Sequence, residues 1–88
     1  MVCVVYSSSV CPRCDILKQY LQENNIKHTV RMIEEPDAKV DALMLNIYST
    51  PALVINSRVL RPNDLFSNNR LDKTKISAFL RSKGHGTA

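Results

Sequence analysis

Three cysteines stand at positions 3, 11 and 14, and the run Cys11-Pro12-Arg13-Cys14 has the spacing that thiol chemistry uses. Two sulfurs three residues apart can close and reopen a disulfide, or they can supply half of a zinc site. The first strand is followed closely by Cys11, and an amphipathic helix begins just after it. At that junction the unpaired N–H groups and the positive end of the helix dipole both favour a thiolate over a thiol. Cysteines in such positions have pKa values lowered from ~8.5 to somewhere between ~3.5 and ~7.5.

The roles follow from the placement. Cys11 precedes the first turn and is expected to be exposed, so it is assigned as the attacking nucleophile. Cys14 lies one turn on, faces inward, and is assigned as the resolving thiol of a Cys11–Cys14 redox disulfide. Pro12 suits the first helical position, where its missing N–H would have no partner in any case. Arg13 adds a fixed positive charge beside the sulfurs. The zinc reading needs two further ligands, for which only Cys3, His28 and His85 are candidates. Cys3 sits inside a strand pattern and His28 inside another, neither paired with a ligand at close spacing, so no metal site is expected. Cys3 reads as a small buried hydrophobe and His28 as a structural histidine.

The elements that must hold this pair are legible from periodicity. Val2-Cys3-Val4-Val5-Tyr6 is apolar on both faces, as in a strand covered from both sides. Ile16, Leu17, Tyr20 and Leu21 recur at helical spacing between Arg13 and Asn24, and Asn24-Asn25 closes that helix. Ile26 to Ile33 alternates like a strand. Glu34-Glu35-Pro36-Asp37 starts a second helix, with Val40, Leu43, Met44 and Ile47 as its expected buried stripe. Ala52 to Ile55 and Arg58 to Leu60 form a hairpin about Asn56-Ser57. A last helix carries Ile76, Phe79 and Leu80, with Asn63-Asp64 and Asp72 both shaped like its cap. The order β-α-β-α-β-β-α gives an α/β domain with a small four-stranded mixed sheet and three flanking helices.

Composition agrees with one globular domain. A chain of 88 residues buries roughly 60% of its unfolded surface, enough for a single modest core. The domain is read as residues 1–83, and 84–88, with two glycines in five residues, as a flexible tail. No apolar run approaches the ~20 residues of a membrane span, and the first residues lack a basic leader, so a cytoplasmic protein with no membrane contact is expected. The net charge of +4 is uneven: residues 1–44 carry five Lys/Arg against six Asp/Glu, and residues 45–88 carry seven against two. No aromatic residues interleave with these cations, so the basic half reads as a solvated face and nucleic-acid binding is not expected.

Val4-Val5-Tyr6-Ser7 leading into Cys11-Pro12-Arg13-Cys14, Ser49-Thr50-Pro51 before a strand, and Arg61-Pro62-Asn63-Asp64 after the hairpin together resemble the glutaredoxin family of the thioredoxin-like fold. The resemblance runs from Val2 to about Ser82. It implies that Pro51 is a cis-proline packed beside the cysteines, in a class where only roughly 5–6% of X-Pro bonds are cis. It implies too that Thr50 offers its backbone N–H and C=O to the substrate as a short strand, with Ser49 alongside. Pro12, Arg13, Ser49, Thr50, Pro51, Arg61 and Asp64 are the substrate-binding residues that follow from it.

The chain departs from the family's usual pattern at three points. Ser8 and Ser9 stand where a lysine usually precedes the first cysteine, Arg13 replaces an aromatic residue, and Leu60-Arg61 replaces a Gly-Gly pair. Asp64 remains where the family's aspartate grips the glutathione amino group. Arg61-Pro62 with Asp64 is also similar to the Arg-Pro-Asp segment of the glutaredoxin-like hydrogen donors of ribonucleotide reductase, which are reduced by thioredoxin reductase. The expected activity is dithiol–disulfide exchange on disulfide-containing proteins by a monomer with no bound cofactor. Its expected reductant is glutathione or a thioredoxin-reductase-type protein. A metal or iron–sulfur carrier is the alternative of another class, and the retained Cys14 argues against it.

Overall fold

The computed structural model of the chain describes residues 3–56 and 58–85, with backbone alone at 81–85. Val2 of the expected first strand, Ser57 of the expected turn and residues 86–88 of the expected tail lie outside the described residues. The elements are β1 (Cys3–Ser7), α1 (Pro12–Glu23), β2 (Thr29–Met32), α2 (Pro36–Met44), β3 (Ala52–Ile55), β4 (Arg58–Leu60), α3 (Pro62–Leu65), β5 (Phe66–Ser67), β6 (Arg70–Leu71) and α4 (Lys73–His85). The last of these runs two residues into the segment expected as a tail.

The main sheet has four strands in the order β2-β1-β3-β4. β1 pairs parallel with β2, Val5 facing Val30, and antiparallel with β3, Val5 facing Leu53. β3 pairs antiparallel with β4, Val54 facing Val59. β1 and β3 are thus the inner strands, and their unbroken apolar runs are buried on both faces, as covered strands must be. β2 is an edge strand of four residues, shorter than the alternation from Ile26 to Ile33 suggests, and Val30 on it is exposed.

Residues of alternate parity face opposite layers. Cys3, Val5, Leu53 and Ile55 pack with Leu17 and Leu21 of α1, Leu65 of α3, Phe66 of β5 and Ile76 of α4. Tyr6, Ala52 and Val54 pack with Ala42 and Ile47 on the other side. The result is helix, sheet and helix in three layers. In α1 the buried line is Cys14, Leu17 and Leu21, while Ile16 is exposed.

α2 corrects one expectation. Val40, Leu43 and Met44 are 55%, 50% and 78% exposed, and the buried face consists of Ala38 and Ala42. At ~100° per residue the alanines lie roughly half a turn from the larger stripe. Small side chains let the helix axis approach the sheet closely, so the bulkier residues are left outside. Ile47 is buried as expected, but from beyond the helix end. There Asn46 has φ 59°, its N–H bonds Leu43 C=O at 3.0 Å, and Ile47 N–H bonds Ala42 C=O at 2.8 Å. This is a Schellman closure, whose apolar contact is the reason Ile47 turns inward. α1 ends the same way: Asn25 has φ 55° and Ile26 N–H bonds Leu21 C=O at 2.9 Å.

The stretch before the last helix holds more structure than expected. Both candidate caps are used, each by a different helix. Asp64, third in α3, accepts the Arg61 N–H at 3.1 Å, while Asp72 accepts the Lys75 N–H at 2.9 Å and starts α4. Between them β5 and β6 form a two-residue ribbon turned by Asn68 and Asn69, with φ 53° and 64°. Positive φ at both turn positions is the geometry of a tight hairpin, and strands of two residues leave no periodicity to read.

Candidate functional site

β1 delivers the chain to the site through Ser7, which is fully buried, and the loop Ser8-Ser9-Val10. Cys11 is the N-cap of α1, and Pro12 opens the helix. The Cys11 sulfur accepts the Cys14 N–H at 3.1 Å. The Cys11 carbonyl receives the Cys14 and Asp15 N–H groups at 3.1 and 3.3 Å. A sulfur in the N-cap place takes the donor that a serine or aspartate oxygen takes elsewhere, so anionic sulfur is favoured there. Cys11 and Cys14 are joined by a disulfide, with Cα atoms 5.2 Å apart. Cys11 is half-buried rather than fully exposed, and Cys14 is fully buried. Any incoming sulfur therefore reaches Cys11 first.

The loop between α2 and β3 forms the facing wall. The Thr50–Pro51 bond is cis, Pro51 is fully buried, and the Thr50 hydroxyl lies 3.6 Å from the Cys11 sulfur. Ser49 is exposed beside it. A cleft of about 270 Å³ runs from Thr50 along Ser49, Tyr48 and Ile47 to Leu43 and Lys39 of α2. Its floor is apolar, and Lys39 supplies its positive charge.

Two contacts at the site were not legible in the sequence. The Ser8 and Thr50 hydroxyls are 3.0 Å apart. The Glu34 carboxylate accepts both the N–H and the hydroxyl of Ser9, each at 2.8 Å, and these bonds lower its pKa below the ordinary glutamate value. Partners 42 and 25 residues apart leave no local signal.

Arg13 is exposed, and the ribbon holds its side chain in place. Its guanidinium lies over the Phe66 ring, 5.4 Å from the centroid, and hydrogen-bonds Asn69. Arg61 and Asp64 are engaged elsewhere. The Arg61 guanidinium donates to the Leu45 and Asn46 carbonyls at 3.1 and 3.3 Å, closing the C-terminal end of α2. Asp64 receives the Arg61 N–H and pairs with Lys75 at 3.4 Å. The structure therefore brings Cys11, Cys14, Pro12, Thr50 and Pro51 together and gives Arg61 and Asp64 contacts with α2 and α4. Cys3 is a free, buried thiol whose pKa is raised by burial. His28 donates from Nδ1 to the Ile26 carbonyl at 2.8 Å. Among the described residues no three His, Cys, Asp or Glu side chains converge as a metal site, and no helix is long and apolar enough to cross a membrane.

Comparison with known proteins agrees with this geometry. The chain is similar to the solved thioredoxin-like protein BC3987 in a mutant form, with 26% identity, a TM-score of 0.73, and coverage of 89% of this chain and 97% of that one. The same protein without the mutation gives 31% identity and a TM-score of 0.61 over 67% of this chain and 84% of that one. No curated protein sequence matches the chain. The family model for glutaredoxin matches residues 3–60, from the first residue of β1 to the last of β4. A disulfide-forming cysteine pair on the first helix, a cis-proline wall and this match lead to one conclusion: the chain belongs to the glutaredoxin family.

Proposed function

We propose that the chain is a dithiol–disulfide oxidoreductase that reduces protein or mixed disulfides through Cys11-Pro12-Arg13-Cys14. The observation that carries this is the Cys11–Cys14 disulfide at the start of α1, with the more accessible sulfur facing the Thr50–Pro51 wall. In the reduced protein the Cys11 thiolate attacks one sulfur of the substrate disulfide. The substrate's other sulfur leaves as a thiolate and takes up a proton. The Cys14 thiol loses its proton and attacks the Cys11 sulfur of the mixed disulfide, releasing the second substrate thiol. Two electrons and two protons have then passed to the substrate, and the internal disulfide of the structure is regenerated. Exposed Ser49 and half-buried Thr50, just before Pro51, support a docking strand for an extended segment around the target disulfide.

One observation favours a thioredoxin-reductase-type protein over glutathione as the source of electrons. Arg61 is committed to the α2 carbonyls and Asp64 to Arg61 N–H and Lys75, so two groups that would contact glutathione already have protein partners. The family match also ends at residue 60, just before both. Donation to ribonucleotide reductase and residence in the cytoplasm belong to the same proposal.

Redox titration in glutathione buffers, read by intact mass, tests the reading. Wild type should lose two hydrogens reversibly, and Cys14→Ser should trap mixed disulfides on Cys11. Cys11→Ser should show no exchange; full activity in that variant contradicts the mechanism. Absence of an internal disulfide at every potential would instead favour a metal carrier. Coupling to NADPH through thioredoxin reductase, in parallel with glutathione and its reductase, separates the two electron sources.

A further inference from the structure

We infer that Ser8 is a positioning residue that tunes the Cys11 thiolate through the hydroxyl of Thr50. The inference rests on the proposed role of Cys11 as the attacking thiol. Ser8 lies in the loop after β1 and Thr50 in the loop before β3, so neither element alone creates the contact. Their oxygens are 3.0 Å apart, and the Thr50 oxygen is 3.6 Å from the Cys11 sulfur, within the reach of a hydrogen bond to sulfur.

Proton counting fixes the direction of the chain. Cys11, once reduced and ionised, has no hydrogen to give, so Thr50 must donate to it. A threonine hydroxyl has one hydrogen. With that hydrogen directed at sulfur, Thr50 can meet Ser8 only as acceptor, and Ser8 must be the donor. The order is Ser8 O–H to Thr50 O–H to Cys11 S⁻. A donor bonded to the Thr50 oxygen polarises its O–H and strengthens the bond to sulfur, by about 10–30% in condensed-phase estimates. Both residues are half-buried, so water competes less for these hydroxyls than at an open surface.

Only the thiolate benefits, because a thiol sulfur is a weak acceptor. Ser8 therefore lowers the Cys11 pKa without touching it. The other donor to the sulfur is the Cys14 N–H at 3.1 Å. The charged groups around the site are Arg13, held by Phe66 and Asn69, Asp15, paired with Lys18, Glu34 on Ser9, and Lys39 in the cleft that ends at Thr50. All of these remain when the Ser8 or Thr50 hydroxyl is removed, so a change in the Cys11 profile reports the hydroxyls.

The test uses the full reduced chain and the rate of alkylation by iodoacetamide from acid to alkaline pH, with the adduct assigned to Cys11 by peptide mass. Thr50→Val keeps the side-chain shape and removes the donor; below the wild-type midpoint the rate should fall about tenfold, as expected for loss of one hydrogen bond to a charged group. Ser8→Ala should slow it about twofold, the share that polarisation contributes. Ser8→Thr restores a donor and should restore the rate. The double variant Ser8→Ala with Thr50→Val should match Thr50→Val alone, because Ser8 acts only through Thr50. A Ser8→Ala profile that overlies wild type overturns the relay. So does a double variant slower than Thr50→Val, or a Ser8→Ala defect that Ser8→Thr leaves uncorrected. A wild-type Cys11 that does not react as a low-pKa thiol overturns the exchange reading and the relay together, whereas a reactive Cys11 indifferent to Ser8 overturns the relay alone.

Discussion

Replacing Arg61 by alanine separates a structural role from a substrate contact. The guanidinium donates to the Leu45 and Asn46 carbonyls, which the Schellman closure of α2 leaves without helical partners. The side chain is exposed, so each bond is discounted to about 0.5 kcal/mol, toward the low end of the net range for hydrogen bonds. A cation at a helix C-terminus adds about 0.3–0.5 kcal/mol at such exposure. The expected loss is about 1.3–1.5 kcal/mol. Unfolding entropy of ~2.1 cal/mol/K per residue gives ~0.18 kcal/mol/K for 88 residues, so Tm should fall by about 7–8 °C. Calorimetry of the oxidised protein reads that shift. Turnover of a glutathione mixed disulfide at 25 °C, where the variant is still folded, should keep its KM within about twofold, since no free donor has been removed from the site. An unchanged Tm together with a tenfold rise in KM would refute the capping argument and return Arg61 to the substrate.

The acid limb of stability should carry the signature of Glu34. Its pKa is depressed by the two bonds from Ser9, so its contribution is fully present above the ordinary glutamate value of 4.5 and is lost as pH falls through the lower folded value. Urea midpoints of wild type and Glu34→Gln should therefore differ by a constant amount from pH 7 to about 5 and converge below 4.5; a difference that persists unchanged at pH 3 would contradict the assignment. Leu17, fully buried between α1 and the sheet with Leu53 and Ile76, should cost about 2–5 kcal/mol when cut to alanine. Chemical denaturation measures this, and a loss under 1 kcal/mol would show that the site collapses around the missing atoms.

Much of the arrangement was legible because its signals are local. The all-apolar β1, the Cys-x-x-Cys at its junction with α1 and the hairpin of β3 and β4 each sit within one short window of sequence. The cis bond at Pro51 followed from the family resemblance and is present. Periodicity points to the opposite face of α2 because it weighs size: Val40, Leu43 and Met44 outrank Ala38 and Ala42 in hydrophobicity, yet the alanines permit close approach to the sheet. The β5–β6 ribbon is illegible from periodicity because two-residue strands show no alternation, although the Asn68-Asn69 pair is a usable turn signal. The Ser8–Thr50 and Ser9–Glu34 contacts exist only once the sheet has brought three loops to one edge. Long-range polar pairs of this kind have no pattern within a single stretch of chain.

Every described residue with positive φ outside glycine is an asparagine: Asn25, Asn46, Asn56, Asn68 and Asn69. The chain's two glycines stand at 84 and 86, so the left-handed bends among the described residues use one residue type that keeps a side chain. This has a spectroscopic consequence. A sample carrying an isotope at asparagine alone would place a reporter at both helix closures, at the β3–β4 bend and on the ribbon that holds Arg13. The asparagine spectrum of the oxidised and reduced protein, a handful of signals, would map which bends respond when the Cys11–Cys14 bond opens.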